Sequence, residues 1–273
     1  MLKTFFKYQS LGNDFILLDW YKKSEISIQK VLNQKGWNQF VVDSCNRNFG
    51  VGADGILISK TDEKLKIPSA LIFNSDGSRA EICLNGLRCI NKHLFIYHNF
   101  EKEFQTKMGS NIIDCFIEKN KKDIEIINKI EPAKYLEERV INILGNNING
   151  HVINLGNPHF VIFQETSLNW LKEHGHLIEK HESFKNKTNV EFIWNDKKTN
   201  HYNMLVYERG CGITLACSSG VASVLWTLFY LNKIKKEEKI TIQMSGGNIS
   251  CWIDKNQKIT LQSTAQQVFK GSL

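Results

Sequence analysis

Cys83 and Cys217 each begin a Cys-x-x-Gly segment at the mouth of a helix-patterned stretch: Cys83-Leu84-Asn85-Gly86-Leu87-Arg88 and Cys217-Ser218-Ser219-Gly220-Val221-Ala222. A thiol at a helix N-terminus meets unpaired N–H groups and the positive end of the helix dipole, which stabilise thiolate. Two such thiols suit inversion at a carbon beside a carboxylate. A thiolate removes the proton from one face while a thiol returns one to the other. The same helix ends can bind that carboxylate and stabilise the charge that builds up on deprotonation. No metal or pyridoxal cofactor is then required. A cysteine taken singly is more often a small buried hydrophobe, the reading given to Cys45, Cys89, Cys115, Cys211 and Cys251.

An internal repeat sets Cys83 and Cys217 apart. Leu11-Gly12-Asn13-Asp14-Phe15-Ile16-Leu17-Leu18 and Leu155-Gly156-Asn157-Pro158-His159-Phe160-Val161-Ile162 both open an apolar strand with a Gly-Asn turn. Gly12 precedes Cys83 by 71 residues, and Gly156 precedes Cys217 by 61. The pattern predicts a duplicated α/β unit with pseudo-twofold symmetry, each half carrying one strand-opening Asn and one helix-opening Cys.

The elements that must position these residues are also visible. Leu87, Ile90 and Leu94 define an apolar face on the first helix, leaving Asn91, Lys92 and His98 for another face. Residues 221–231 are apolar nearly all round, which predicts a helix buried on every side with a sheet wrapped around it. Strand-like runs flank both helices, including Ile56-Leu57-Ile58, Ala70-Leu71-Ile72-Phe73, Val190-Glu191-Phe192-Ile193 and Met204-Leu205-Val206-Tyr207. The polar stretch 118–123 best fits a link. The expected fold class is α/β (α+β): two pseudo-symmetric domains, 1–122 and 123–261, each a mixed sheet around a central helix, with 262–273 returning to the first.

Composition narrows the class. A length of 273 residues fits two compact domains at about 150 residues each. With 42% apolar and 23% charged residues, 3 Pro and 18 Gly, the chain is neither disordered nor collagenous. Apolar runs such as Val224-Leu225-Trp226 fall far short of the ~18 residues of a membrane span. Met1-Leu2-Lys3-Thr4-Phe5-Phe6-Lys7 lacks a signal-peptide core, so a cytoplasmic location is expected. The net charge of +7 would suit a weak anionic partner. Its lysines, however, lie in surface-like runs (119–122, 233–236) without interleaved aromatics, so neither nucleic acid nor membrane is expected as a partner. Seven cysteines, an odd count, predict reduced thiols rather than a disulfide framework.

Three patterns mislead. Gly50-Val51-Gly52-Ala53-Asp54-Gly55 matches G-x-G-x-x-G, but a helix-like stretch (37–45) precedes it and a strand (56–59) follows, the reverse of a dinucleotide turn. Cys83 with Cys89 and Cys211 with Cys217 are spaced Cys-x5-Cys, wider than structural zinc spacing. His159, after Asn-Pro, reads as a hydrogen-bonded turn residue.

The chain resembles the diaminopimelate epimerases. Leu11-Gly12-Asn13-Asp14-Phe15, the Gly50–Gly55 segment, Phe73-Asn74-Ser75-Asp76-Gly77-Ser78, Cys83-Leu84-Asn85-Gly86-Leu87-Arg88-Cys89 and Gly156-Asn157-Pro158-His159 occur in that family's order. So do Asn189-Val190-Glu191-Phe192, Tyr207-Glu208-Arg209-Gly210, Ala216-Cys217-Ser218-Ser219-Gly220 and Ser245-Gly246-Gly247. The resemblance implies cofactor-independent interconversion of LL- and meso-diaminopimelate, for lysine and peptidoglycan synthesis, in a fold of two pseudo-symmetric α/β domains. It makes Cys83 and Cys217 the acid and base pair. It assigns the reacting carboxylate to the amides at Leu84, Asn85, Ser218 and Ser219. Asn13, Asn74, Asn157, Asn189, Glu208 and Arg209 would line the rest of the site, Arg209 offering a planar fork to a second carboxylate and Glu208 a partner for the distant ammonium. The expected partner is therefore a small molecule, diaminopimelate; assembly, a homodimer among the options, is not fixed by the sequence.

The family usually has Gly directly after each catalytic Cys, where this chain has Leu84 and Ser218. Backbone N–H groups survive both changes, but a side chain is expected where substrate approaches or where φ needs to be positive, Leu84 being the larger change. Racemisation of another amino acid on the same scaffold, or binding without turnover, are the alternative readings. A basic nucleic-acid binder is the remote one.

Overall fold

The structure is a computed structural model that describes residues 4–80, 82–120, 123–196, 199 and 201–272. The opening Met1-Leu2-Lys3 and the division expected after residue 122, at Lys121 and Lys122, lie outside the described residues. The chain forms two compact units, one of Met1–Asn128 with Ser263–Leu273, the other of Lys129–Gln262.

The elements begin with β1 (Phe5–Ser10), β2 (Asn13–Asp19), α1 (Glu25–Leu32), α2 (Trp37–Cys45), β3 (Gly55–Asp62) and β4 (Ile67–Asn74). They continue with β5 (Arg79–Ala80), α3 (Leu84–Tyr97), β6 (Glu103–Met108), β7 (Asn111–Lys119) and β8 (Ile124–Ile130). Then come β9 (Lys134–Ile143), β10 (Asn146–Asn154), β11 (Pro158–Ile162), α4 (Leu168–Glu179), β12 (Asn189–Asp196) and β13 (His201–Glu208). The last are β14 (Gly212–Ile213), α5 (Ser218–Tyr230), β15 (Ile240–Met244), β16 (Gly247–Ile253), β17 (Ile259–Thr264) and β18 (Gln266–Gly271).

In the first unit the strands pair in the order β18, β1, β2, β3, β4, β6, β7, with β2–β3 and β4–β6 parallel and the rest antiparallel. In the second the order is β9, β10, β11, β12, β13, β15, β16, with β11–β12 and β13–β15 parallel. A short antiparallel arm, β5 on β4 or β14 on β13, leads into the central helix in each. The two units therefore match strand for strand, as the repeat predicts.

Period-two alternation places the side chains. Ile16, Leu18, Ile56 and Ile58 join the core that includes Ile28 of α1 and Val41 of α2. Their neighbours Leu17 and Leu57 are also fully buried, so the strands are covered on both faces. In the second unit Phe160, Ile162, Val190 and Phe192 pack with Leu171 and Ile178 of α4, leaving His159 and Glu191 to the opposite face.

Both central helices are enclosed. In α3 the expected apolar face is present, and burying each of Leu87, Ile90 and Leu94 contributes about 1.5–3 kcal/mol. The expected polar face is not, because every residue from Leu84 to Leu94 is buried. Asn91 and Lys92 are paired inside instead. Asn91 Oδ1 accepts from the Thr106 hydroxyl at 2.7 Å, while Lys92 Nζ donates to Asp123 Oδ1 at 2.9 Å and the Ala265 carbonyl at 2.5 Å. His98 caps the helix and reaches Asp19 Oδ2 at 2.8 Å. In α5, Val221, Ala222, Val224, Leu225 and Leu228 are fully buried against strands that include β10, β11, β12 and β16, while Ser219, Trp226 and Phe229 are half-buried and Tyr230 at its end is exposed. Among the described residues no helix is long and apolar enough to cross a membrane.

Candidate active site

The first unit builds its half of the site on the end of α3. Cys83 is the N-cap, with extended backbone (φ −148°, ψ 101°), and its Sγ accepts the Gly86 N–H at 3.4 Å. Its own N–H donates to Met108 Sδ at 3.3 Å. Gly86 sits in close packing, since a Cβ there would lie 2.7 Å from Leu57 Cδ2. Leu84 starts the helix with ordinary right-handed backbone, and its side chain is buried at 2% exposure. The family's glycine position therefore carries no left-handed strain here, and Leu84 packs inward.

Asn13, at the start of β2, is drawn to the thiol. Its Oδ1 accepts from Asn85 Nδ2 at 3.4 Å and lies 3.9 Å from Cys83 Sγ, while its Nδ2 donates to Asp54 Oδ2 at 2.7 Å. Arg47 bridges Asp54 and Asp14, each at 2.7 Å, and Lys7 Nζ donates to Asp14 at 2.6 Å. Burial alone would raise the Asp14 pKa, but the Arg47 and Lys7 hydrogen bonds outweigh it and hold the group at about 2. One turn into α3, the fully buried Arg88 donates to Asn85 Oδ1 and to Ser10 Oγ, and burial lowers its pKa to about 10 without neutralising it at ordinary pH. Asn74 closes the β4–β5 turn, donating to Ser78 Oγ at 3.0 Å.

The second unit repeats the design with different surroundings. Cys217 caps α5 (φ −125°, ψ 104°), its Sγ accepting the Gly220 N–H at 3.4 Å with Ser219 Oγ at the same distance. Ser218, the helix's first residue, is buried. Gly220 is again a close approach: a Cβ would meet Glu191 Oε1 at 2.8 Å. Leu57 and Glu191 are each the third residue of their strand, so a carboxylate stands where the other unit has a leucine. Glu191 Oε1 lies 2.7 Å from His159 Nδ1, both side chains fully buried, and His159 Nε2 lies 3.1 Å from Asn157 Oδ1.

Glu208, the last residue of β13, accepts from Thr214 Oγ1 at 2.5 Å and hydrogen-bonds Cys217. Burial raises the Glu208 pKa against both hydrogen bonds. Burial, then the nearby Glu208 and Glu191 carboxylates, push the Cys217 thiol well above the ordinary range, outweighing its Ser219 and Gly220 hydrogen bonds. Asn189 joins two turns, accepting the Arg209 N–H at 2.9 Å and donating to the Pro158 carbonyl at 2.9 Å. Arg209 itself is exposed, its guanidinium 3.4 Å from the Asn186 carbonyl.

Asn13, Cys83 and Asn85 thus form one cluster, while Cys217, Ser219 and Glu208 form another. Asn157 connects to His159, and Asn189 to Arg209. Glu208 hydrogen-bonds Cys217 and Thr214. Two expectations need correcting. His159 is a buried strand residue in β11 rather than a turn residue, because its parity turns it toward the inner face. Cys211 is exposed beside the β13–β14 turn, not a buried hydrophobe. Cys45, Cys89, Cys115 and Cys251 are buried, and burial raises their pKa, to about 11 for Cys45. Among the described residues none of the seven cysteines is in a disulfide. Sequence reasoning passed over Glu191, Asp54, Arg88 and Thr214. The signal for Glu191 was a lone acid within Val190-Glu191-Phe192-Ile193, an otherwise buried strand.

The sequence profile of the diaminopimelate epimerase family matches residues 5–135 and 151–268. Diaminopimelate epimerase of Prochlorococcus marinus (strain NATL1A) is 33% identical over 290 residues, covering 100% of this chain and 99% of that protein. Among solved structures, a hydroxyproline epimerase from Agrobacterium vitis with bound trans-4-hydroxy-L-proline superposes with a TM-score of 0.75 at 10% identity, covering 100% of this chain and 93% of that one. A phenazine biosynthesis protein of the PhzF family from Bacillus anthracis gives 0.70 at 13% identity, covering 100% and 99%. At those identities the two structures speak for the fold alone.

Proposed function

The chain belongs to the diaminopimelate epimerase family, and from this we propose that it interconverts LL- and meso-diaminopimelate by proton transfer at one α-carbon between Cys83 and Cys217. The observation that carries the reading is the twofold recurrence of one device. Each unit offers a thiol as helix N-cap, sulfur on the third N–H, next to the end of a strand that carries polar side chains. In one direction Cys83 as thiolate takes the α-proton, and the electron pair moves into the adjoining carboxylate. Cys217 delivers its proton to the opposite face, which inverts the centre. The helix N-terminal N–H groups at Leu84, Asn85, Ser218 and Ser219 stabilise the charge on that carboxylate. Turnover leaves the proton on Cys83 and the charge on Cys217. Solvent returns a proton to Cys217, which Glu208 hydrogen-bonds, and takes the proton from Cys83, so both thiols are reset.

The raised Cys217 pKa supports its entry as the acid in this direction. Arg209 binds the distal carboxylate, and Asn13, Asn74, Asn157 and Asn189 supply neutral donors and acceptors around the ligand. Both transfers use thiols, so the reaction as written needs no cofactor. The reading includes a free amino acid as substrate, a cytoplasmic location, and a place in lysine and peptidoglycan-precursor synthesis.

The test is incubation of purified protein with LL-diaminopimelate in D2O with a reductant. The expected product is meso-diaminopimelate with deuterium at the inverted carbon. Inversion without deuterium would refute the proton-transfer mechanism. Folded protein inert toward diaminopimelate but active on another amino acid would refute the substrate, and inert toward both would refute the activity.

A further inference from the structure

The C-terminal end of α3, remote from Cys83 along the helix, carries a second cluster. Asp19 Oδ2, His93 Nε2 and His98 Nε2 all lie within 4.8 Å of one another, with Oδ2 2.8 Å from His98 Nε2 and 3.3 Å from His93 Nε2. We infer that these three atoms bind a divalent d-block cation of the zinc, cobalt or nickel class, which ties β2 to α3.

Four observations support the site. First, His93 is fully buried, and its Nε2 has no aligned hydrogen-bond partner although it faces the Asp19 carboxylate. Tyr8 OH donates to Gln267 Oε1 at 3.2 Å and lies 3.3 Å from His93 Nδ1. In the tautomer whose Nδ1–H donates to Tyr8 OH, the Nε2 lone pair faces Asp19 Oδ2. A cation between two such electron-rich atoms resolves that arrangement. Second, the outer contacts are those that orient ligands. Asp19 Oδ1 is occupied by the Tyr21 N–H at 3.2 Å and the Ser59 hydroxyl at 3.0 Å, so Oδ2 is the oxygen turned to the two imidazoles. Tyr97 stacks on the His93 ring with centroids 4.6 Å apart, and Tyr21 packs on His98 at 4.8 Å.

Third, the cation would sit at the C-terminal turn of a helix, where the dipole is negative. Fourth, the Asp19 and His98 side chains are 23% and 10% exposed, which gives solvent entry while His93 closes the floor. Two imidazoles and one carboxylate select borderline d-block ions over magnesium or calcium, and three protein ligands leave a position for water. The consequence is mechanical. β2 and α3 carry Asn13 and Cys83 at one end and this trio at the other, so a bound ion would fix the two elements that present the first thiol.

The experiment is cobalt titration of the full chain carrying Cys83→Ser, Cys211→Ser and Cys217→Ser, which removes the catalytic and exposed thiols as competitors. Visible absorption and calorimetry should show about one Co2+ per chain, displaced by Zn2+. His98→Gln and Asp19→Asn, each added to that background, should weaken binding by more than ~100-fold, beyond the loss of an outer contact alone. Metal should raise the melting temperature of the parent and leave both variants unmoved. If Asp19→Asn fails to fold, His98→Gln decides the matter. A parent that binds no cobalt, or unchanged affinity in a folded variant, overturns the inference.

Discussion

His159 and Glu191 form a fully buried pair, Nδ1 to Oε1 2.7 Å, under the first turn of the helix that Cys217 caps. At the matching strand positions the other unit carries Phe15 and Leu57, both buried. The two thiols therefore rest on different ground. One helix N-terminus is packed on hydrocarbon and the other on a carboxylate, which biases the two cysteines toward different resting protonation states.

Glu191→Gln should lower the Cys217 pKa, because it removes one of the negative charges that raise it. Iodoacetamide labelling against pH, followed peptide by peptide, should show the Cys217 midpoint moving down while that of Cys83 stays in place. An unmoved Cys217 midpoint would show that burial alone sets its protonation.

Leu84→Gly, which restores the residue usual in the family, should destabilise the protein. Leu84 is 2% exposed, and truncating a buried leucine costs about 2–5 kcal/mol. Chemical denaturation measures the loss. A large gain in turnover with unchanged stability would place the Leu84 side chain in the substrate's path instead.

Arg209→Lys should weaken diaminopimelate far more than a monocarboxylate analogue, since lysine lacks the bidentate fork. Inhibition constants for the two ligands provide the comparison. Equal losses would remove Arg209 from distal carboxylate binding.

Acid should loosen the Asn13 turn through Asp14. Its folded pKa, about 2, lies below the ordinary aspartate value of 3.8, so its contribution is present above roughly pH 4 and lost as pH falls toward 2. The Asp14 side chain is 17% exposed, and the shift amounts to about 2 kcal/mol. Asp14→Asn should flatten the stability profile over that window in denaturant titrations. A profile as steep as the parent's would assign the acid sensitivity elsewhere.

The parts of this architecture that depend on neighbours in sequence were legible there. Cys83 and Cys217 as N-caps, and Asn13 and Asn157 at strand openings, follow from short-range turn and cap chemistry. The enclosure of α5 followed from its uniform apolarity. What escaped depends on burial by distant strands. Asn91 and Lys92 read only as belonging to another face than the apolar one, because their partners, Thr106, Asp123 and Ala265, come from other strands and loops. Glu191 and His159 were ordinary polar letters until parity placed them on one inner face. The Asp54 contact to Asn13 joins residues 41 positions apart, which no local pattern encodes.

The strand β18 has a consequence for biosynthesis. It lies along β1, and the adjoining Thr264 and Ala265 carbonyls accept from Ser10 and Lys92. While a ribosome is still making the chain, Phe5–Ser10 has a bare edge, and bare edges recruit foreign strands. The half translated first is thus the half completed last, and a nascent chain stalled before Gln266 would emerge with its earliest strand uncovered.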